Sequence, residues 1–432
     1  MKRFTSKLPI ICLILLFVIP LFPLKSQGFS FLKSNDIQIF FVNPLENSKP
    51  VNACKNEACT SLLNLINNAK ESIDFAIYGI GNQGAIFNAL IDAQKRGVKL
   101  RGVTEITEKG TNPYPDTFKL MDILKTMKTD YSPKPVDITE ISEKYGYKFN
   151  TKDPLMHNKI YIIDGKTVWT GSTNTSCTCM NYNSNDVLVI NSPEIAKLYE
   201  TEFIQMWQNG KFHKDKDVIS NNENISLDDG SVVSVYFSPM NEPIYKGVVP
   251  MINKAQKNID IGIFFFTDKK ISYALYQAKK RSVKIRIILD AVSATNDFSQ
   301  HELLRKEGIP VKVENWGGKM HMKTAAIDGK YLIIGSMNWT SSAQYHNDEN
   351  TVVVQSPEIV KKFEKHFNML WKSIPDKWLS ANPRAESPDS PDSCSDDIDN
   401  DFNGLMDNDD PNCNPNLKPL EGQPLRYFED TD

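Results

Sequence analysis

Histidine is scarce in this chain, with six among 432 residues. Charge of one sign is missing as well: 50 basic and 53 acidic side chains leave a formal net charge of −3. That balance gives no strong reason to expect a nucleic-acid partner. Past the N-terminus no apolar run is long enough to span a bilayer, which excludes further membrane segments. The cysteines lack zinc-ribbon spacing, so a zinc site stands only as an alternative to disulfides. Hydrophobic content of 40% and charged content of 24% are ordinary for a globular chain of two or three domains.

The ends differ from the middle. Residues 1–28 carry four basic and no acidic side chains, and residues 381–432 carry three basic and 14 acidic ones. The remainder has a net charge of +4, which suits a phosphate-bearing substrate. Lys2, Arg3 and Lys7 precede an apolar stretch from Leu8 to Leu24, and Ser26-Gln27-Gly28 follows. This is the pattern of a secretory signal peptide over 1–28, with cleavage expected after Gly28. An uncleaved anchor is the alternative, and Pro20 and Pro23 argue against it. The chain is therefore expected to be secreted or extracytoplasmic. Six cysteines remain after cleavage, an even number that favours disulfides in an exported chain. Cys394 and Cys413 bracket the acidic tail and are expected to pair. Cys177 and Cys179 are too close to bridge each other easily, so cross-links to Cys54 and Cys59 are expected.

Much of the chain occurs twice. "NNAKESIDFAIYGI" (67–80) matches "NKAQKNIDIGIFFF" (253–266), and "AQKRGVKLRGV" (93–103) matches "AKKRSVKIRII" (278–288). "NSPEIAKLYETEFIQMW" (191–207) matches "QSPEIVKKFEKHFNMLW" (355–371). From His157 to Trp207 the partner lies at +164, and the earlier segments lie at +185 or +186. The first half therefore holds an insertion, mostly over 137–155, whose "EKYGYKF" could form a lid or interfacial loop. Each half reads strand, helix, strand, helix, strand, then hairpin, strand and helix. That alternation predicts an α/β fold with two similar sandwich lobes, 36–215 and 230–380. A linker over 381–393, an Asp-rich loop over 394–413 and a tail over 414–432 follow. Both Ser-Pro-Glu sequences are helix starts, and Trp207 and Trp371 are expected core anchors.

Within the repeat sits "HNKIYIIDGKTVWTGSTN" (157–174), matched by "HMKTAAIDGKYLIIGSMN" (321–338). Both follow H-x-K-x4-D-x6-G-S-x-N, a pattern whose chance occurrence at a given site is on the order of 1 in 10⁷. His157 and Lys159 are two apart at a strand start, so their side chains share a face, as do those of His321 and Lys323. Asp164-Gly165 and Asp328-Gly329 mark hairpin turns. The second hairpin strand returns Ser172 and Asn174, or Ser336 and Asn338, to the start of the first. Each half thus gathers an imidazole, an ammonium, an amide and a hydroxyl. Asp164 and Asp328 read equally well as turn carboxylates and as chemical groups.

These residues resemble the paired signature of the phospholipase D superfamily, over roughly 36–380. The resemblance implies two α/β lobes packed face to face, one active site at their interface, and a catalytic unit complete in one chain. It also implies phosphodiester cleavage through a phosphohistidine without a metal. The residues suit that chemistry: one imidazole attacks phosphorus, the other protonates the leaving oxygen, and lysines and amides hold the charged oxygens. His157, Lys159, Asp164, Asn174, His321, Lys323, Asp328 and Asn338 are the candidate catalytic residues, with Ser172 and Ser336 as phosphate-binding support. The family often has an acidic residue eleven positions after the motif Asn to orient the histidine. Glu349 fills that place in the second half, while the first half has Asn185, followed by Asp186. A carboxylate beside His321 would favour its protonated form, making it the acid and His157 the nucleophile.

In the tail, "CSDDIDNDFNGLMDNDDPNC" resembles an EF-hand loop with Asp at the final position, and also short Asp-rich calcium-binding repeats of secreted proteins. Asp399, Asp401, Asn403, Asp407 and Asp410 are the candidate calcium ligands. A disordered acidic tail is the alternative. The function expected from the whole is a secreted phosphodiesterase hydrolysing phospholipid, phosphatidylcholine above all, to phosphatidic acid. Its partner would be a phospholipid or a membrane surface. A secreted endonuclease acting on nucleic acid is the second reading. Cardiolipin or phosphatidyl-transfer chemistry ranks behind both, and a non-enzymatic calcium-dependent surface protein stands against two complete motifs.

Overall fold

A computed structural model describes residues 36–107, 110–130 and 154–418. The signal segment, nearly all of the 137–155 insertion and the last fourteen residues lie outside them. The first lobe holds strands β1 (Ile37–Val42), β2 (Ser72–Ile77), β3 (Ile80–Gly81), β4 (Lys99–Thr104), β5 (Met127–Thr129), β6 (Lys159–Ile163), β7 (Thr167–Gly171), β8 (Thr175–Ser176) and β9 (Asn185–Asn191). Seven of them form one sheet in the order β1-β9-β7-β6-β2-β4-β5, and β3 pairs with β8 apart from it. The second lobe adds β10 (Ile225–Ser226), β11 (Val232–Phe237), β12 (Asn258–Ile263), β13 (Lys284–Leu289), β14 (Val311–Val313), β15 (Lys323–Ile327), β16 (Tyr331–Gly335) and β17 (Asn350–Gln355). Their order is β10-β11-β17-β16-β15-β12-β13-β14, the same wiring with one extra edge strand.

In each sheet two crossover strands run parallel (β2 with β4, β12 with β13), and the motif hairpin runs antiparallel beside them. The antiparallel hairpin returns its motif Asn to the edge where the motif His enters. That edge is also where the parallel strands end. Loops at the C-terminal edge of parallel strands are where α/β sheets place ligands, because the helices have turned away there.

The Ser-Pro-Glu helices run over Pro193–Trp207 and Pro357–Ser373. Ser192 caps the first by accepting from the Ile195 amide at 3.3 Å. Both helices feed one apolar core shared by the lobes: Phe203 and Tyr199 from the first, Phe363 and Phe367 from the second, with Ile190 and Val354 from the sheets. Trp207 and Trp371 are partly buried against this core and are covered by arginines. Arg101 lies 5.1 Å over Trp207 and donates from Nε and Nη2 to the two oxygens of Asp74, and Arg286 repeats this with Trp371 and Asp260. Among the described residues no helix is long and apolar enough to cross a membrane.

One cysteine expectation fails. Cys54 bridges Cys59, while Cys177 and Cys179 are buried thiols that take no part in the disulfides of the described residues. Cys177 and Cys179 begin a short helix, Cys177–Asn181, and the Cys179 sulfur turns inward, 3.6 Å from Asn183 Nδ2 and 3.7 Å from His321 Nδ1. Cys394 bridges Cys413.

Candidate active site

Each motif histidine is fixed by the opposite lobe. The His157 amide donates to the Asp348 carbonyl at 3.0 Å, and the His321 amide donates to the Ser184 carbonyl at 2.9 Å. The loops entering β6 and β17 therefore pair, as do those entering β9 and β15, and both motifs are drawn to one place. His157, Lys159, His321 and Lys323 are all buried.

The side chains cross in the same way, which corrects the expected pairing. Glu349 accepts from His157 Nδ1 at 2.7 Å, not from His321. His321 Nδ1 instead donates to Asn185 Oδ1 at 2.9 Å. The cause is the pairing of the lobes: the strand that carries each orienter begins beside the other lobe's histidine. Ser336 donates to Glu349 at 2.6 Å, and Ser172 donates to Asn185 at 3.0 Å. Both serine hydroxyls thus hold the orienters. Asp186 accepts from Ser172 at 2.8 Å and from Thr324, so its carboxylate serves hydroxyls and not a ring. Burial pushes its carboxyl up, with those two hydroxyls acting against the rise.

The lysines lie against their own histidines. Lys159 Nζ donates to the His157 carbonyl at 2.9 Å and contacts His157 Nε2, and Lys323 Nζ donates to the His321 carbonyl at 2.8 Å. With Nδ1–H on Glu349 and an ammonium on Nε2, the His157 ring is held as the Nδ1–H tautomer. Asn174 is 1% exposed, and among the described residues neither its amide nitrogen nor its oxygen has a hydrogen-bond partner. A buried amide in that state is poised for a ligand, because leaving it unsatisfied is costly. Asn338 Oδ1 accepts from the Phe265 amide at 3.4 Å.

Asp164 and Asp328 stand apart from this cluster, at the far ends of β6 and β15. Asp164 accepts from the amides of Lys70, Glu71 and Ser72 at 2.7–3.1 Å. Asp328 does the same for Gln256, Lys257 and Asn258. Partial burial pushes the Asp164 carboxyl up, but the backbone donors outweigh it and hold the group low. The structure makes both of them fasteners of the helix-to-strand turn.

Several residues of the site have no place in the motif. Tyr78 stands edge-on to His157 at 5.5 Å, and Phe264 packs on His321 at 4.9 Å. They occupy the +186 positions of the repeat, so matched aromatics at the ends of matched strands were the available signal. The segment between the lobes supplies Lys216, buried against Glu202 and 2.7 Å from Asp348, and His213, 3.1 Å from Asp348. Nothing in the repeat signals these, because the equivalent of Asp348 in the first lobe is Ser184.

The acidic tail is folded against both lobes. Tyr182 donates to Asp396 at 2.7 Å, Asn400 donates to the Gly317 carbonyl, and Lys319 lies 4.0 Å over Phe402. Glu386, Asp399 and Asp401 each bring a carboxylate oxygen within 4.8 Å of the others. This all-oxygen donor set is of the kind a hard cation such as calcium takes. Asp407 of the expected ligands is used differently, accepting from the amides of Asp396 and Asp397. Asn403 and Asp410 bond to each other. Burial and neighbouring carboxylates raise Asp401 to about 7, and burial raises Glu386 to about 8.

Comparison with known proteins follows this geometry. The family model "Cardiolipin synthase, PLD-like domain" matches residues 62–207 and 248–371. A stretch of 120 residues is 38% identical to the mitochondrial cardiolipin hydrolase of Danio rerio, covering 28% of this chain and 53% of that protein. A stretch of 140 residues is 33% identical to a phospholipase D of Rickettsia conorii, covering 32% of this chain and 70% of that one. The chain thus spans about half the length of the cardiolipin hydrolase it matches. The solved phosphatidylserine synthase of Haemophilus influenzae has a similar fold, with a TM-score of 0.55 at 13% identity over 80% of this chain and 89% of that one.

Proposed function

The chain belongs to the phospholipase D superfamily, and on that premise we propose that it is an exported phosphodiesterase that hydrolyses phospholipids to phosphatidic acid. The observation that carries the reading is the crossed pair of buried histidines, Glu349 on one and Asn185 on the other, beside the unpartnered amide of Asn174.

His157 is the nucleophile. Its Nε2 lone pair attacks phosphorus, and the bond from phosphorus to the leaving alcohol oxygen breaks. His321 gives its proton to that oxygen. The phosphorylated ring is cationic, and the Glu349 carboxylate on Nδ1 stabilises it, as the carboxylate of a Ser-His-Asp triad stabilises imidazolium. This replaces the expected ground for the assignment, since the carboxylate lies on His157. Asn185 offers His321 only a neutral oxygen, so that ring releases its proton more readily. Lys159, Lys323, Asn174 and Asn338 hold the phosphoryl oxygens as charge builds on them. Water then attacks phosphorus, His321 takes its proton, the phosphorus–nitrogen bond breaks, and phosphatidate leaves.

Phosphatidylcholine is the first substrate to test, with cardiolipin beside it because that lipid is named in the matching relatives. Purified protein would be given vesicles of each lipid and, separately, plasmid DNA, with Lys159→Ala/Lys323→Ala as control. Phosphatidic acid formed by the wild type and not by the control supports the proposal. Plasmid nicking without lipid turnover overturns it.

A further inference from the structure

The two lobes differ most on the helix that follows the first crossover strand. In the second lobe this helix is Lys269–Lys280, and residues 269–284 hold six basic and no acidic side chains. The matching stretch of the first lobe, 84–99, holds three basic and one acidic. Lys269 and Lys270 stand where the first lobe has Gly84 and Ala85, and Tyr273 and Tyr276 stand where it has Asn88 and Ile91. Lys269, Lys270, Lys279 and Lys280 are exposed, and the Tyr273 ring is 64% exposed. Lys280 lies 5.0 Å over Tyr276, and Lys270 lies 4.0 Å over Tyr245, whose hydroxyl meets that of Tyr345.

The place of this cluster matters as much as its composition. Tyr245 follows β11, Lys270 follows β12, exposed Phe298 follows β13, and Tyr345 follows β16. All four leave the sheet at the edge where His321 and Asn338 sit, with Lys269 and Lys270 at the helix start, while Lys279, Lys280, Arg281 and Lys284 lie toward the opposite edge. Ammonium groups interleaved with tyrosines fit an anionic interface, where the rings sit at headgroup depth and the lysines meet phosphate. The 71% exposed Phe298 gives the face a ring that hydrocarbon receives; unpaired bases also stack on such rings, and the phospholipid reading above decides for the bilayer. We propose that this face docks the enzyme on anionic phospholipid bilayers, with the active-site edge turned toward the membrane. The proposal rests on the phospholipid reading above and adds the surface that reads the membrane.

Sedimentation with vesicles tests it without turnover. Lys269→Glu/Lys270→Glu/Tyr273→Ala is expected to bind vesicles of phosphatidylcholine with phosphatidylglycerol roughly tenfold more weakly or worse. Its rate on soluble bis(p-nitrophenyl) phosphate should stay within about twofold of wild type, which also shows that it is folded. Lys95→Glu/Lys99→Glu, the same charge reversal on the first lobe, should leave binding unchanged. Equal vesicle binding by wild type and the triple variant would overturn the proposal. So would an equal loss in the first-lobe control, or a loss confined to single-stranded DNA. If binding depends on the face while vesicle lipids stay intact, the docking surface stands and the proposed activity falls.

A second inference comes from groups buried beneath the histidines. Glu105 follows β4 and Asp130 follows β5, and their buried carboxyls lie near enough to repel each other. Asp290 follows β13 and Glu314 follows β14, in the same relation. Glu105 accepts from the amide of Met156 at 2.6 Å, and Asp290 accepts from that of Met320 at 3.0 Å. Each pair therefore holds the residue before a motif histidine. The repeat keeps one long and one short acid in each lobe but exchanges their positions, so their joint length is preserved. Burial, with the neighbouring carboxylate of the pair, raises Glu105 and Glu314 well above the usual carboxyl range.

We infer that each pair is a positioning unit whose summed length sets the seat of its histidine. Glu105→Asp should lower kcat about tenfold or more with KM nearly unchanged, since it displaces a group that acts in the transition state. Glu105→Asp/Asp130→Glu, which copies the other lobe, should recover most of the loss. The His157 Nδ1 proton resonance should shift in the single variant and return in the double, a readout independent of turnover. An unaffected single variant would refute the inference. A double variant that melts like wild type yet stays as slow as the single would do so too.

Discussion

At one position of the repeat the first lobe has an amide, Asn185, serving His321, and the second has a carboxylate, Glu349, serving His157. One residue earlier the first lobe has Ser184, and the second has Asp348, which holds Lys216 and His213. The backbones around these positions are alike, and both histidine amides are received by the opposite lobe. Duplication thus preserved the frame and let the electrostatics diverge. A symmetric pair of rings could exchange roles, whereas a pair with one carboxylate cannot do so at equal energy. In the proposed mechanism, division of labour between the histidines follows from which one the carboxylate reached.

That contrast can be broken by mutation. His157→Asn should reduce turnover by on the order of 10⁴-fold or more and leave no phosphorylated protein. His321→Asn should be as slow on lipid, yet accumulate phosphohistidine from a p-nitrophenyl diester, whose leaving group needs no proton. Mass spectrometry of the quenched enzyme reads this, and label found on His321 in the wild type would reverse the roles. Glu349→Gln makes both half-sites amide-oriented, and a loss of about 10- to 100-fold in kcat is expected. Asn185→Asp should do less. A carboxylate beside His321 favours its protonated form, so the basic limb of kcat/KM against pH should move to higher pH.

Two smaller effects lie outside the ring pair. Asp164→Ala or Asp328→Ala should cost about 1–2 kcal/mol in urea denaturation while the folded fraction keeps its activity. In the tail, Asp401 and Glu386 bind protons more tightly when folded than when unfolded, with folded values of about 7 and about 8. The folded tail then holds the extra protons between about pH 4 and pH 8, so its stability falls as pH rises through that window. Proteolysis of residues after 383 should accelerate over the same range. Millimolar calcium should slow it, by replacing protons among the carboxylates; an unchanged rate would count against the calcium reading.

Much of the architecture was legible because duplication prints it twice. The constant +164 offset located the hairpin, and Ser-Pro-Glu announced both long helices. His157 with Lys159 and His321 with Lys323 were legible from two-residue spacing alone. The crossing of Glu349 to His157 was not, since a residue eleven positions past its own motif Asn reads as local. Only the pairing of opposite lobes reveals the exchange. Cys59 was misjudged for a similar reason: spacing excluded a Cys177–Cys179 bridge, but not the inward turn of Cys179 toward His321. The acid pairs were not legible because Glu105 aligns with Asp290 and Asp130 with Glu314, a substitution that looks like drift until the fold buries each pair together.

The crossed orienters also set the order in which the site is completed. Glu349 lies 192 residues beyond the histidine it serves, so it leaves the ribosome long after His157. A nascent chain that has finished its first lobe has His157, Lys159 and Asn174 but not the carboxylate that receives Nδ1. The second lobe likewise waits on Asn185 from the first. The paired site is therefore completed at one late event, the docking of the lobes.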